Sequence, residues 1–226
     1  MMKKIKLLIL TILFPALMFS QGGVEIVPFA GYMFGGSVKY SYYYGGYNYS
    51  PKLDLKDGLN YGLSVLVPVQ SLVDLELNWT RMDKVKAILT TGGYSGPEFS
   101  EDELYVSSNY FQIGAISKFY QGSSVAQPFG SLSLGATWFD TSPTSQSDYT
   151  SYQDVWKFSV TLGLGVKVMF SERIGIMLRG RLMMPMTFGG TSFYVGTGGS
   201  GMSLNGWVSP LQGDFNGGLI IKVGGN

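Results

Sequence analysis

The sequence contains no cysteine and no histidine among its 226 residues. The absence of cysteine excludes disulfides, thiolate metal sites, cysteine nucleophiles and a lipid-modified N-terminal cysteine. The absence of histidine excludes Ser-His and His-Asp hydrolase chemistry, HExxH zinc sites and imidazole general bases. Charged residues are also scarce, at 14% against roughly 25% in soluble domains. We therefore expect no enzymatic activity, no cofactor and no metal, although a Ser-Lys or carboxylate mechanism stays open.

The first twenty residues are typical of a secretory signal peptide. Lys3, Lys4 and Lys6 are followed by an apolar stretch from residue 7 to 19 and by the small residue Ser20. This stretch is shorter than the roughly 20 residues of a spanning helix, so a retained membrane helix is the weaker alternative. Removal of residues 1–20 leaves 13 basic and 15 acidic residues (16 − 3 against 15), a net charge of −2 for one domain over residues 21–226. A near-neutral exported chain gives no electrostatic case for nucleic-acid binding.

Apolar residues recur at every second position along the chain, which predicts strands with unlike faces. Within residues 72–79, one face holds Val73, Leu75, Leu77 and Trp79, and the other holds Asp74, Glu76 and Asn78. The alternation predicts eight strands, over residues 24–34, 59–67, 72–79, 110–119, 129–139, 158–168, 174–182 and 215–223. Short and long connections alternate between them, the long ones covering residues 35–58, 82–109, 140–155 and 185–213. This order predicts a sequential antiparallel meander.

The content of the two strand faces indicates which one lies outside. Leu, Ile and Val fill one face, whereas the other mixes Gly and Ser with charged residues near strand centres. An eight-stranded barrel has an interior just wide enough to be filled by side chains, and apolar-out with polar-in is the membrane arrangement. The predicted strands are close in length to a membrane-spanning strand, which has about 9 to 11 residues. We predict an all-β, eight-stranded, antiparallel, up-and-down transmembrane β-barrel, with a soluble lipocalin-like carrier as the alternative.

Three short stretches carry a family resemblance: residues 25–32 (EIVPFAGY), residues 110–114 (YFQIG), and residues 127–131 with 135–138 (QPFGS and GATW). They are similar to the small eight-stranded outer membrane barrels of the OmpA, OmpX, OmpW and opacity-protein type. The resemblance implies a location in a Gram-negative-type outer membrane, with both termini and the short turns in the periplasm. It also implies outer membrane lipid, lipopolysaccharide and the outer membrane assembly machinery as partners.

Several inward positions are charged, and unpaired charge in a narrow interior is unfavourable. We expect Asp74 and Glu76 on the third strand to pair across the lumen with Arg179 and Arg181 on the seventh. The pairs form either a structural plug or a gate that opens when they exchange partners. Inward glycines leave room either for these long side chains or for a slim channel.

The predicted outer end carries aromatic and basic residues. Tyr42, Tyr43, Tyr44, Tyr47 and Tyr49 lie in the first long loop, where clustered tyrosines either bind a glycan or protein surface or extend the interfacial girdle. Trp79 and Trp138 end outward faces and are predicted girdle residues. Arg81, Lys84 and Lys86 are either solvated rim charges or contacts to lipopolysaccharide phosphates.

The predicted function is therefore that of an integral outer membrane barrel with a structural and surface-contact role through its long loops. Its loop partner would be an extracellular or membrane protein. The alternative is a narrow porin-like channel for small or apolar solutes.

Overall fold

The computed structural model describes residues 23–39, 42–44, 47–49, 52–91, 100–119, 125–143, 154–196, 199–208 and 211–224. The predicted signal peptide lies outside these residues. The eight barrel strands, numbered first to eighth in chain order, are Val24–Phe34, Gly58–Pro68, Val73–Thr91, Ser100–Lys118, Ala126–Pro143, Val155–Met169, Ile174–Gly196 and Gln212–Val223. Five further strands are Ser37–Lys39, Tyr42–Tyr44, Tyr47–Tyr49, Lys52–Leu55 and Gly199–Val208. None of the described ranges contains a helix long and apolar enough to cross a membrane.

The eight strands close into a barrel. Each strand pairs antiparallel with the strand that follows it in the chain. The first strand also pairs with the eighth, from Val24 opposite Val223 to Phe34 opposite Gly213. Closure leaves no open edge in this part of the sheet. The predicted all-β, up-and-down, eight-stranded antiparallel barrel is confirmed.

The two faces of the wall have the orientation that the alternation predicts. Outward residues are large, apolar and exposed, as at Leu59 (75%), Leu164 (67%) and Phe215 (68%). Inward residues are buried, and many are polar or charged, as at Asp74 and Lys167, both 1% exposed. A water-soluble barrel would bury the apolar face, so this inversion is typical of a barrel surrounded by hydrocarbon.

Several strands continue well beyond their predicted ends. The third strand continues to Thr91 and the fourth begins at Ser100, so the prediction of a long loop over residues 82–109 is wrong. A bulge between Met82 and Val85, with a positive φ of 41° at Lys84, shifts the alternation by one residue. Strand structure also reaches Gly196 and returns over Gly199–Val208, within the loop predicted for residues 185–213.

Three apolar clusters fill parts of the interior. The first, at the short-turn end, comprises Val27, Leu66, Ile116, Phe129, Met177 and Ile220. The second comprises Met33, Met82, Val85, Tyr110 and Met183. The third, inside the extended strands, comprises Leu55, Ala87, Leu104, Val106 and Phe139. The polar residues described next lie between and beside these clusters.

Candidate functional site

A central ion pair links the third and seventh strands, which are not neighbours in the barrel. Arg179 Nη1 donates to Glu76 Oε1 over 2.5 Å, and both side chains are almost fully buried. Arg179 also donates to Ser64 Oγ (3.3 Å) and Asn216 Oδ1 (3.4 Å). Ser64 Oγ donates to the same Glu76 oxygen over 2.8 Å. The pair therefore spans the lumen and has additional hydrogen bonds on both partners, which a buried ion pair requires.

Arg181 forms a second ion pair one step along the seventh strand, with Asp214 on the eighth strand. Its Nε donates to Asp214 Oδ1 over 3.0 Å. Its Nη1 donates to Asn78 Oδ1 (3.1 Å) and Thr80 Oγ1 (3.0 Å). The expected pairing of Arg181 with an acid of the third strand is therefore not found. The third strand presents neutral acceptors to Arg181, and Asp214 supplies the charge.

The two guanidinium groups share one aromatic partner. The Cζ atoms of Arg179 and Arg181 lie 5.2 and 5.1 Å from the centroid of the Phe29 ring. This ring belongs to the first strand and is 5% exposed. Cation–π contacts of this length are favourable and strengthen when desolvated. Phe29 therefore helps to fix both arginines in the lumen.

Asp74 belongs to a separate ionic cluster at the short-turn end. Lys167 Nζ donates to Asp74 Oδ2 (2.8 Å) and to Glu25 Oε2 (2.7 Å). Lys118 Nζ donates to Asp74 Oδ1 over 2.8 Å. The expected pairing of Asp74 with an arginine is thus replaced by two lysine contacts. Asp74 is the first inward residue of its strand and forms its ion pairs at the short-turn end of the barrel. Glu76 lies next to the height along the barrel axis that Arg179 and Arg181 occupy, which we call the arginine level.

The charges of two groups in the lumen balance: the ion pairs of Arg179 and Arg181, and the ionic cluster at the short-turn end. The acids are Glu25, Asp74, Glu76 and Asp214, and the bases are Lys118, Lys167, Arg179 and Arg181. Apolar clusters flank the arginine level on both sides. Tyr110, from the cluster on the loop side, donates its hydroxyl to Gln212 across the barrel. Within these groups the lumen is packed and the charges compensate each other.

Sequence reasoning missed Asp214 as a site residue. The predicted eighth strand began at residue 215, because Gln212, Gly213 and Asp214 look like loop residues. The strand in fact begins at Gln212, and both Gln212 and Asp214 point inward and are buried. The sequence signal that identifies them is the period of two: Gln212 and Asp214 lie at alternate positions that continue to the inward residues Asn216 and Gly218.

Trp79 and Trp138 lie on the outward face within clusters of aromatic rings. Trp138 stacks on Trp156 with ring centroids 5.7 Å apart, and Phe111 stacks on Trp156 with ring centroids 6.4 Å apart. Trp79 meets Tyr61 edge to face at 6.0 Å. Amphipathic aromatic rings favour the boundary between hydrocarbon and water. Trp79 and Trp138 therefore stay predicted girdle residues.

The basic rim residues are partly engaged with acids. Arg81 pairs with Asp83 at 2.7 Å, and Lys86 pairs with Glu103 at 3.0 Å. Lys84 occupies the bulge, and its backbone nitrogen donates to Ser107 Oγ over 3.1 Å. These pairs lie beyond Trp79 on the loop side of the wall.

The predicted tyrosine loop contains a short hairpin. Tyr42 pairs with Tyr49, Tyr43 with Asn48, and Tyr44 with Tyr47. Directly opposed residues of an antiparallel pair share a face, and successive residues alternate faces. Tyr42, Tyr44, Tyr47 and Tyr49 therefore share one face of this hairpin. Their side chains lie outside the described part of the structure.

Comparison with known proteins identifies the fold. The outer membrane protein OprG from Pseudomonas aeruginosa is similar with a TM-score of 0.54 and 14% identity, over 89% of this chain and 97% of that one. Neisserial surface protein A (NspA) is similar with a TM-score of 0.53 and 12% identity, over 89% of this chain and 97% of that one. No family model and no curated protein sequence matches. The chain therefore has the fold of small outer membrane β-barrels.

Proposed function

We propose that the chain is a non-enzymatic integral outer membrane protein, exported by a cleaved N-terminal signal peptide. The observation that carries the proposal is the inverted wall, with exposed Leu59, Leu164 and Phe215 outside and four acids balanced by four bases inside. Only a hydrocarbon surrounding makes both faces favourable. The aromatic clusters around Trp79 and Trp138 support the same placement.

Spin labels at two outward positions test this placement. Cysteine variants Leu75→Cys and Leu162→Cys, labelled in the full chain and reconstituted in phospholipid vesicles, are expected to be reached by oxygen and protected from an aqueous nickel complex. Ser171→Cys, in the exposed turn between the sixth and seventh strands, serves as the water-accessible control. Nickel access at positions 75 and 162 equal to that at position 171 would contradict the proposal.

A structural role is favoured over the narrow channel. The central pairs and the two flanking apolar clusters occupy the lumen with residues that are each no more than 7% exposed. Water and ions cross a hydrophobic constriction poorly, because such constrictions dewet. Transport of a small or apolar solute would require these layers to separate.

The contact role rests on the tyrosine hairpin beyond the barrel. Tyr42, Tyr44, Tyr47 and Tyr49 share one face of it, and no charged residue occurs between Lys39 and Lys52. Tyrosine supplies large contact area with little loss of side-chain entropy. The partner proposed is an extracellular or membrane protein, with lipid and lipopolysaccharide around the wall and the outer membrane assembly machinery inserting it.

The two faces of the hairpin provide a matched test. Cells carrying the barrel with Tyr42→Ser and Tyr49→Ser are expected to lose adhesion to wells coated with extracellular-matrix proteins. Tyr43→Ser, on the other face, is expected to retain it. Equal adhesion of all variants, with equal amounts of folded barrel at the surface, would contradict the contact role and leave the membrane placement untouched.

A further inference from the structure

The outer wall of the barrel is asymmetric. On the second, third and fourth strands, the outward positions between residues 59 and 117 contain no glycine. The wall formed by the fifth to eighth strands instead has outward glycines at positions 130, 180, 213 and 217. Where glycine replaces a bulky side chain, the backbone itself forms the floor of the surface.

A groove of about 690 Å³ lies over three of these glycines. Its floor contains Gly130, Gly180 and Gly213, and its sides are formed by Leu162, Leu164, Leu182, Phe34 and Phe215. The register explains its form, because Gly180 lies between Leu164 and Phe215, and Gly213 lies between Leu182 and Phe34. The volume falls within the roughly 300–1,000 Å³ of small-molecule sites.

The groove offers no charge to a ligand. Arg181 and Asp214 contribute to its lining, but their side chains turn into the lumen, where they are 2% and 0% exposed and pair with each other. What reaches the groove is backbone and aliphatic or aromatic side chain. A polar headgroup or a charged peptide finds no partner there, whereas a hydrocarbon chain needs none.

We propose that this groove binds one acyl chain of a membrane phospholipid as a long-lived, site-bound lipid. The inference rests on the proposed membrane placement, which puts the groove at the depth of the acyl chains. A second groove of about 450 Å³ on the same wall, with Gly217 in its lining, extends the irregular surface toward the turn end. The described outward positions of the second, third and fourth strands, by contrast, include Leu59, Leu63 and Phe111 and no glycine.

The test fills the groove without disturbing the barrel. A Cβ at Gly213 would meet nothing closer than Arg181 O at 3.7 Å and Phe34 Cδ2 at 3.9 Å, so the wall has room for a side chain at this position. We expect the branch of Gly213→Leu to occupy the groove. Ala115→Leu adds similar bulk to an exposed outward position of the fourth strand and is the control. Gly130→Leu, whose Cβ would meet Phe119 Cζ at 3.2 Å, is the second variant if the first does not fold.

Native mass spectrometry of the full chain, released from phosphatidylethanolamine nanodiscs into detergent, measures the retained lipid. The wild type and Ala115→Leu are expected to retain one phospholipid, and Gly213→Leu to retain it about tenfold less, because the leucine side chain occupies the space of the acyl chain. Equal retention by all three would overturn the inference, as would a wild-type dimer that Gly213→Leu dissociates, which would assign the groove to a second copy. Heat-modifiable mobility and membrane fractionation are checked first, so that failure of the membrane placement is distinguished from failure of the lipid site.

Discussion

Arg179 and Glu76 form an ion pair across the lumen although their strands are separated by three others on one side of the barrel and three on the other. The pair is buried and joins Nη1 to Oε1 over 2.5 Å. Because no backbone hydrogen bond connects the third and seventh strands, this contact ties opposite walls through side chains alone. Its removal therefore reports on the interior without disturbing the ladder.

Arg179→Met is expected to destabilise the barrel by about 3–5 kcal/mol, because it leaves the Glu76 carboxylate buried without its partner. The double variant Glu76→Gln with Arg179→Met should recover most of this loss, since neither charge then remains. Urea unfolding in phospholipid vesicles, followed by tryptophan emission, measures both.

Lys86→Gln provides the control for the ion-pair variants. Its pair with Glu103 lies on the exposed surface, where such contacts contribute little. Its unfolding midpoint is expected to equal that of the wild type. A midpoint for Arg179→Met that also equals the wild type would contradict the expected cost of an unpaired Glu76 carboxylate.

The packed lumen predicts no ion conductance in planar bilayers for the wild type. Arg179→Ala should remain silent as well, because the apolar clusters that contain Phe129 and Met183 still close both sides of the arginine level. A reconstituted porin serves as the positive control. Discrete openings in Arg179→Ala alone would restore the gate hypothesis, and openings in both proteins would favour the channel.

The fold could be predicted from the sequence because a membrane barrel repeats one signal on every strand. Alternation of apolar and polar residues gave eight strands in the correct order, and the bulk of Leu and Val against buried charge gave the correct orientation. The extension of the third strand was missed because the bulge at Lys84 shifts the alternation. After it, Val85 and Ala87 face inward at odd positions, whereas Asp74 and Glu76 do so at even ones.

The lumen partners were harder to predict. Alternation shows that Asp74, Glu76, Arg179 and Arg181 face inward, but it does not give the stagger of the strands around the barrel. That stagger brings Glu76 to Arg179 and takes Asp74 to Lys118 and Lys167. Pairing across a lumen therefore requires the register of the intervening strands, which a single sequence leaves open.

Gly62→Ala is expected to destabilise the barrel, because the added Cβ would lie 2.1 Å from the carbonyl oxygen of Trp79 and 2.5 Å from the Phe29 ring. The ring cannot move away freely, since both lumen arginines lie over it. We expect a loss of about 1–3 kcal/mol by urea unfolding, as for other overpacked sites. Gly213→Ala, with its nearest atom at 3.7 Å, should be neutral, and equal stability of the two variants would contradict this packing.

Asp83 provides a pH-dependent contact outside the apolar band. Arg81 donates to its Oδ1 from Nε (3.2 Å) and Nη2 (2.7 Å), and these hydrogen bonds hold the pKa of the carboxyl below its usual value. A carboxyl whose pKa is lower in the folded than in the unfolded state stabilises the folded protein at every pH above the unfolded-state pKa. This contribution to stability is lost as the pH falls through the folded-state pKa.

Carbon-13 NMR of the Asp83 carboxyl in the folded barrel measures this shift directly. Arg81→Gln should raise the Asp83 pKa toward the ordinary aspartate value, because the charged donor is lost. Lys84→Gln, which removes a neighbouring positive charge without an ion pair to Asp83 in the described structure, should move it much less. If the two substitutions raise the pKa equally, the shift comes from the general positive charge of the rim and not from the hydrogen bonds of Arg81.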